Sequence, residues 1–179
     1  SESDVNPSSG WHEKHHKLLS NGRYTYDEDG RYTEEVINII REVRMAASKA
    51  GYYNMCVPEE LGGSGLGMLA YYVAWEHTFR TCGPHNWLAV YAISHWALGP
   101  SRLLERVTEE ARSEILDGMV AGETSMCFGL SEPGAGSDAA ALTTKAVPDG
   151  NGWRITGRKI WTTNSPIDDY CIIFAQTDP

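Results

Sequence analysis

The sequence predicts an α+β fold: a bundle of helices over residues 1–122, then antiparallel strands over residues 123–179. Two observations carry this. Apolar residues recur at three- and four-residue spacing as far as Gly122, and at two-residue spacing after Met126. The run Asp149-Gly150-Asn151-Gly152 then sits between two alternating segments, as a hairpin turn does. Helices first and strands later is the order of an α+β chain.

In order, Ser1 to Arg31 reads as irregular, with Pro7, Gly10, Gly22 and Gly30 and the charged run Asp27-Glu28-Asp29. Thr33 is a candidate N-cap, and Glu34 and Glu35 suit the positive end of a helix dipole. Val36, Ile40, Val43, Ala47 and Ala50 form one apolar stripe, and Gly51 stops the helix. A glycine-rich loop follows from Pro58 to Gly67. Second and third helices are expected from Met68 to about Arg80 and from about Asn86 to Leu98. Both are apolar nearly all round, so both are expected at the centre of the bundle. A fourth helix follows Thr108, with Ala111, Ile115, Leu116 and Met119 inward. Met126–Leu130 reads as a short apolar strand. Leu142–Val147, Trp153–Thr156, Lys159–Thr163 and Tyr170–Gln176 read as further strands.

Net charge is −9, and no basic cluster is long enough to track a phosphate backbone, which argues against nucleic acid as a partner. No apolar run approaches the roughly 20 residues that span a bilayer. Ser1 to Gly10 is polar and carries no signal-peptide core. Cys56, Cys82, Cys127 and Cys171 contain no CxxC pair and stand among apolar neighbours. They read as reduced, mostly buried thiols in a cytosol-like compartment, although spacing alone leaves disulfides open.

Chemistry is concentrated in two stretches. In Phe128-Gly129-Leu130-Ser131-Glu132-Pro133-Gly134-Ala135-Gly136-Ser137-Asp138, a strand opens into a loop. Its glycines let a ligand approach the backbone, and its hydroxyls and amides suit an anion. Taken alone, a plain surface turn fits as well. In Gly157-Arg158-Lys159-Ile160-Trp161-Thr162-Thr163-Asn164, an indole precedes two hydroxyl residues. An indole can pack on an aromatic cofactor ring. It can also simply plug a core.

The two stretches together closely resemble the two flavin-contacting signatures of the acyl-CoA dehydrogenase family, at matching spacing. Val57-Pro58-Glu59-Glu60-Leu61-Gly62-Gly63 resembles the family's Pro-Glu-Glu-x-Gly-Gly loop. The resemblance covers most of Val5 to Pro179. It implies a helical N-terminal domain followed by the start of a β-barrel middle domain, truncated. It also implies FAD-dependent α,β-dehydrogenation of an acyl-CoA thioester in fatty-acid metabolism. Phe128, Leu130 and Ser131 would meet the pyrimidine edge of FAD. Trp161 would lie beside the isoalloxazine with Thr162 next to it, and Thr163 would donate on its N5 and O4 side. Gly136 and Ser137 would sit at the pyrophosphate, with Ser137 also near the pantetheine tail of the substrate. Donors aimed at a ring that gains charge on reduction favour the reduced form. Electron-transferring flavoprotein as acceptor, a homo-oligomer when full length, and a cytoplasmic or mitochondrial-matrix location follow from the same resemblance.

The sequence departs from the family pattern at Phe128, where tyrosine is frequent, at Ser131, where threonine is common, and at Thr162, where an aliphatic residue is usual. The family's chain is roughly twice as long. Its catalytic carboxylate, the rest of its β-domain and its adenine-holding residues are expected outside these 179 residues, as is its first helix. No acid here, Glu76 and Glu132 included, is nominated as the base. An acyl-CoA oxidase or flavin monooxygenase of the same fold, and a non-catalytic helical interaction module, stand as alternatives. His12, His15 and His16 have helical spacing but lack an acidic or cysteine partner to complete a metal site. His77, His85 and His95 read as structural. Trp87, Leu88, Tyr91 and Trp96 read as core or as the border of an acyl pocket.

Overall fold

A computed structural model of the chain describes residues 25–83, 86–94 and 99–177. The chain divides into two compact units, residues 1–42 and 43–179. His12, His15, His16, His85, His95 and Trp96 lie outside the described residues.

In the first unit, part of the segment expected to be irregular forms a closed turn. The Asp27 carboxylate accepts from the Asp29 amide at 3.0 Å and the Arg31 amide at 2.8 Å. The Tyr26 and Tyr32 rings stack across it, 5.2 Å apart. Helix α1 (Glu34–Lys49) begins directly after Thr33, with Glu34 and Glu35 in its first turn. Val36, Ile39 and Ile40 are buried.

In the second unit, the Pro58–Gly67 loop folds onto the segment before it. Gly63 donates to the Pro58 carbonyl, Gly65 to Val57 and Leu66 to Met55. Helix α2 (Gly67–Cys82) matches the second expected helix in span but not in place. It has no buried residue, and Met68, Leu69, Tyr72 and Val73 are all more than half exposed. Among the described residues of this unit none covers its apolar surface. The third expected helix is, in its described part, a short 3₁₀ segment at Trp87–Tyr91. The Ser94 amide donates 2.8 Å to the Tyr53 carbonyl, a partner far away in the chain, so the local helical ladder does not continue. Leu88 and Tyr91 are buried as core residues. A 3₁₀ turn at Arg102–Arg106 leads to α3 (Glu109–Ala121). The Thr108 hydroxyl caps α3 by accepting from the Ala111 amide at 3.3 Å.

Strands β1 (Met126–Gly129), β2 (Lys145–Asp149), β3 (Gly152–Thr156) and β4 (Tyr170–Ile173) follow. The hairpin β2–β3 is antiparallel in the expected register, Asp149 opposite Gly152, with Gly150 at φ 62. Two details differ from the sequence reading. First, β1 pairs with β4 in parallel. The register is pinned at the entry, where the Asp169 and Tyr170 amides donate to the Ser125 carbonyl and the Ser125 amide donates 2.9 Å to the Asp169 carboxylate. Second, Lys159–Thr163 is not a strand. The chain there is held by side-chain and single backbone bonds, described below, rather than by a ladder.

The core of this unit lies where helix and strand segments meet. Val57, Leu61, Leu104, Met119 and Met126 are at most 2% exposed, and Ile115, Leu116, Tyr170 and Ile172 pack against them. Arg44 is also buried, and its Nε donates 3.2 Å to the Gly122 carbonyl. Gly122 ends α3 at φ 79, and a Cβ there would come within 2.7 Å of the Arg44 backbone. Glycine is therefore required twice over at this position.

Candidate functional site

Strand β1 runs out of the core through Gly129 and Leu130 into the glycine-rich loop. The loop closes on itself within four residues. The Glu132 amide donates 2.8 Å to the Ala135 carbonyl, and the Ala135 amide returns 3.1 Å to the Glu132 carbonyl, with Pro133 and Gly134 at the tip. Gly134 and Gly136 face open space, since a Cβ at either would meet nothing within 4 Å. Ser137 is exposed beyond the turn.

The two chemistry-bearing stretches are joined by a polar knot. Glu132 is 5% exposed. Its Oε2 accepts from the Thr143 amide at 2.6 Å and the Thr143 hydroxyl at 2.7 Å. Its Oε1 accepts from the Thr144 amide at 2.9 Å and from Lys159 Nζ at 2.8 Å. The same ammonium donates 3.0 Å to the Leu130 carbonyl, and the Ile160 amide donates 2.9 Å to the Ser131 carbonyl. The Lys159 ammonium, then the Thr144 and Thr143 donors, hold the Glu132 carboxyl well below the usual carboxylate range, so it stays charged. Gly157 lets this approach happen, because a Cβ there would overlap the Thr144 side chain and stand 2.7 Å from its Cα.

Past the knot the chain turns outward. Trp161 sits in the left-handed region at φ 58 and is 86% exposed. Such a conformation is costly for a bulky residue, on the order of 1–3 kcal/mol, and persists where surrounding contacts fix it. Here Ile160 is fixed on one side. On the other, the Ser165 amide donates to Thr162 O, and the Ile167 and Asp168 amides donate to Asn164 O. Thr162 is half-buried and Thr163 exposed. An open indole presented this way is not plugging a core.

Phe128 is half-buried at the end of β1, its ring 4.6 Å from that of Phe174. It also lines a cavity of about 1050 Å³ with Pro58, Glu59, Met68, Tyr71 and Ser94, which brings the Pro-Glu-Glu loop and the flavin-type strand to one space. Trp87, Leu88 and Tyr91 do not line it. Among the described residues no group of His, Cys, Asp and Glu is placed to hold a metal ion. No described helix is long and apolar enough to cross a membrane.

Sequence reasoning nominated Leu130, Ser131 and the residues around Trp161 but missed Glu132 and Lys159 as the tie between them. The available signal was a carboxylate and an amine, one in each stretch, with the adjacent donors Thr143 and Thr144 between them in the chain.

Comparison with known proteins agrees with this organisation. Residues 21–123 match the model of the acyl-CoA dehydrogenase N-terminal domain, and residues 127–179 that of the middle domain. The CarC subunit of a caffeyl-CoA reductase-Etf complex from Acetobacterium woodii is 34% identical over 85% of this chain and 38% of its own length. A mitochondrial short-chain specific acyl-CoA dehydrogenase from Bos taurus is 40% identical over 72% of this chain and 30% of its own. The solved structure of an acyl-CoA dehydrogenase complexed with FAD from Bacillus anthracis superposes with a TM-score of 0.59 at 28% identity, covering 81% of this chain and 26% of that one. The chain thus spans about a third of the length of the curated relatives it matches.

Proposed function

Since the chain belongs to the acyl-CoA dehydrogenase family, we propose that it supplies the helical domain, residues 1–122, and the start of the middle domain, residues 123–179, of an enzyme that oxidises the Cα–Cβ bond of an acyl-CoA thioester. The carrying observation is the Lys159–Glu132 knot, which fixes the Gly-Ala-Gly-Ser loop and the Trp161 segment to each other.

FAD fits what the residues offer. Trp161 presents an open aromatic face, and the space beside Gly134 and Gly136 is clear of side chains. When bound, FAD supplies the acceptor for a hydride. This chain's part is binding and orientation. Phe128, Leu130 and Ser131 would hold the pyrimidine edge, Trp161 and Thr162 would lie beside the ring, and Thr163 would donate toward its polar side. Gly136 and Ser137 receive the phosphate and pantetheine portions. Fixed donors toward developing negative charge favour the reduced state without reorganisation.

The partners that fit this reading are an acyl-CoA, electron-transferring flavoprotein as electron acceptor, and further copies of the chain in a homo-oligomer. A cytoplasmic or matrix compartment agrees with four free thiols. The test is to purify the whole protein, record its visible spectrum, and follow dye reduction with a panel of acyl-CoA thioesters beside oxygen consumption. A flavin spectrum with dye reduction is expected. A colourless protein that bleaches no dye overturns the proposal, and rapid oxygen uptake replaces dehydrogenase with oxidase.

A further inference from the structure

Cys127 and Cys171 are register partners on neighbouring strands, β1 and β4. Because strands run parallel here, paired residues present their side chains on the same face. Met126, Tyr170 and Ile172 belong to the core cluster, so Cys127, Gly129, Cys171 and Ile173 share the opposite face. Paired strands lie about 4.8 Å apart, inside the roughly 4.4–6.8 Å between Cα atoms that a disulfide spans. The Cys171 sulfur lies 3.6 Å from where a Cβ on Gly129 would stand. It therefore sits beside the backbone of β1. Both thiols are free; Cys127 is buried and Cys171 exposed, and with Cys56 half-buried and Cys82 exposed the cysteines are not mostly buried as their apolar neighbours suggested.

We propose that Cys127 and Cys171 are a modification site, closing to a reversible cross-strand disulfide when the protein meets a peroxide. The exposed Cys171 thiol reacts first. Its sulfur takes one oxygen from hydrogen peroxide, giving a sulfenic acid and one water. The Cys127 sulfur then attacks the Cys171 sulfur. The S–O bond breaks, the S–S bond forms, and the Cys127 proton leaves with the hydroxide as a second water. A dithiol returns both sulfurs to thiols by exchange. Closure ties the strand that feeds the glycine-rich loop to β4.

Burial, with the neighbouring Cys171 thiol adding to it, pushes the Cys127 thiol up to about 12. Closure draws on its thiolate, so this second step quickens about tenfold per pH unit across neutral and mildly alkaline pH. That dependence separates this pair from exposed thiols that meet at random.

The experiment treats the intact chain with equimolar hydrogen peroxide at several pH values, alkylates what is still free, and maps the peptides by mass spectrometry. The expected product has lost two hydrogens, carries a peptide linking Cys127 to Cys171, and leaves Cys56 and Cys82 alkylated. A dithiol reverses it. Cys82→Ser forms the same link, and the surface variant Cys171→Ser does not. A chain unfolded in guanidinium gives mixed pairings, which marks native pairing as the work of the sheet. The proposal is overturned if Cys171 proceeds to sulfinic acid while Cys127 stays alkylatable, if Cys171 pairs only between molecules, or if folded and unfolded chains give the same pairings.

Discussion

Lys159 serves two masters, a backbone carbonyl of the strand exit and the carboxylate of the loop that follows it. Lys159→Met would leave Glu132 a nearly buried charge without its cation, so a lower melting temperature is expected, with flavin lost in proportion in the whole protein. Glu132→Gln tests the same tie by pH. A carboxyl held charged in the fold contributes stability that is present above the ordinary glutamate range and is lost as pH falls below it. The gap in melting temperature between wild type and Glu132→Gln should be full at neutral pH and shrink below about pH 4. Asp168 carries the opposite sign. Burial, the largest cause, raises it to about 6, and its Oδ2 has no hydrogen-bond partner. Ionising it therefore costs stability, which is lost as pH rises from about 4 to about 6 and stays lost above that. Asp168→Asn should raise the melting temperature at pH 8, and the gain should shrink as pH falls toward about 3, where the side chain is mostly neutral folded or unfolded. Trp161→Ala should remove more bound flavin from the whole protein than Ser137→Ala, since the indole supplies the larger contact area. Flavin content unchanged in both variants would reject the placing of FAD on this loop and segment.

At the scale of elements, Met119→Ala is the sharpest test of the core. Met119 is fully buried where α3 meets Val57, Leu61, Leu104 and Met126, and deleting such a side chain costs about 2–5 kcal/mol. Thr108→Ala, which removes a cap at the surface, should cost about 1 kcal/mol by denaturant titration. Smaller loss at Met119 than at Thr108 would contradict the packing. Elements specified by local chemistry were legible in the sequence. Thr108 with its two glutamates marks the start of α3, and the Gly150-Asn151 turn sets the β2–β3 register. Elements decided by distant partners were not. Nothing near Ser94 announces that its amide goes to Tyr53, which ends the Trp87–Tyr91 turn, and nothing near Tyr170 announces the Ser125 contacts that make β4 parallel to β1. Periodicity gave α2 an apolar surface but could not say what covers it. The site divides along the same line. The glycines and the tryptophan are local signals. The Glu132–Lys159 pair is a long-range one, and so is the burial of Arg44 against Gly122.

For the molecule as a whole, the question is which acid could take an α-proton. Glu132 is saturated, accepting from Thr143, Thr144 and Lys159, and is held too acidic to accept a proton at neutral pH. Glu76 is on the exposed surface of α2 and pairs with Arg80 at 3.2 Å. Asp168, whose value near 6 would suit a base, belongs to the buried surroundings of Arg44 and Ser125 and is absent from the lining of the cavity that holds Phe128. General-base catalysis needs the carboxylate within hydrogen-bond reach of the substrate proton, and its benefit vanishes when one partner is out of place. The 179 residues by themselves should therefore not dehydrogenate an acyl-CoA, even with FAD added. On the proposed reading they should also bind flavin poorly, since an exposed Trp161 gives the ring one open face to rest on. Among the described residues β3 pairs only with β2 and β4 only with β1, which leaves backbone donors and acceptors open on their outer edges, so the isolated chain should self-associate as its concentration rises. The measurement is dye reduction by the purified chain with added FAD and a panel of acyl-CoA thioesters, alongside light scattering. Turnover above the no-enzyme rate would place a working base among these residues, and the cavity acids Glu59, Glu60 and Glu105 would be the first to replace with glutamine.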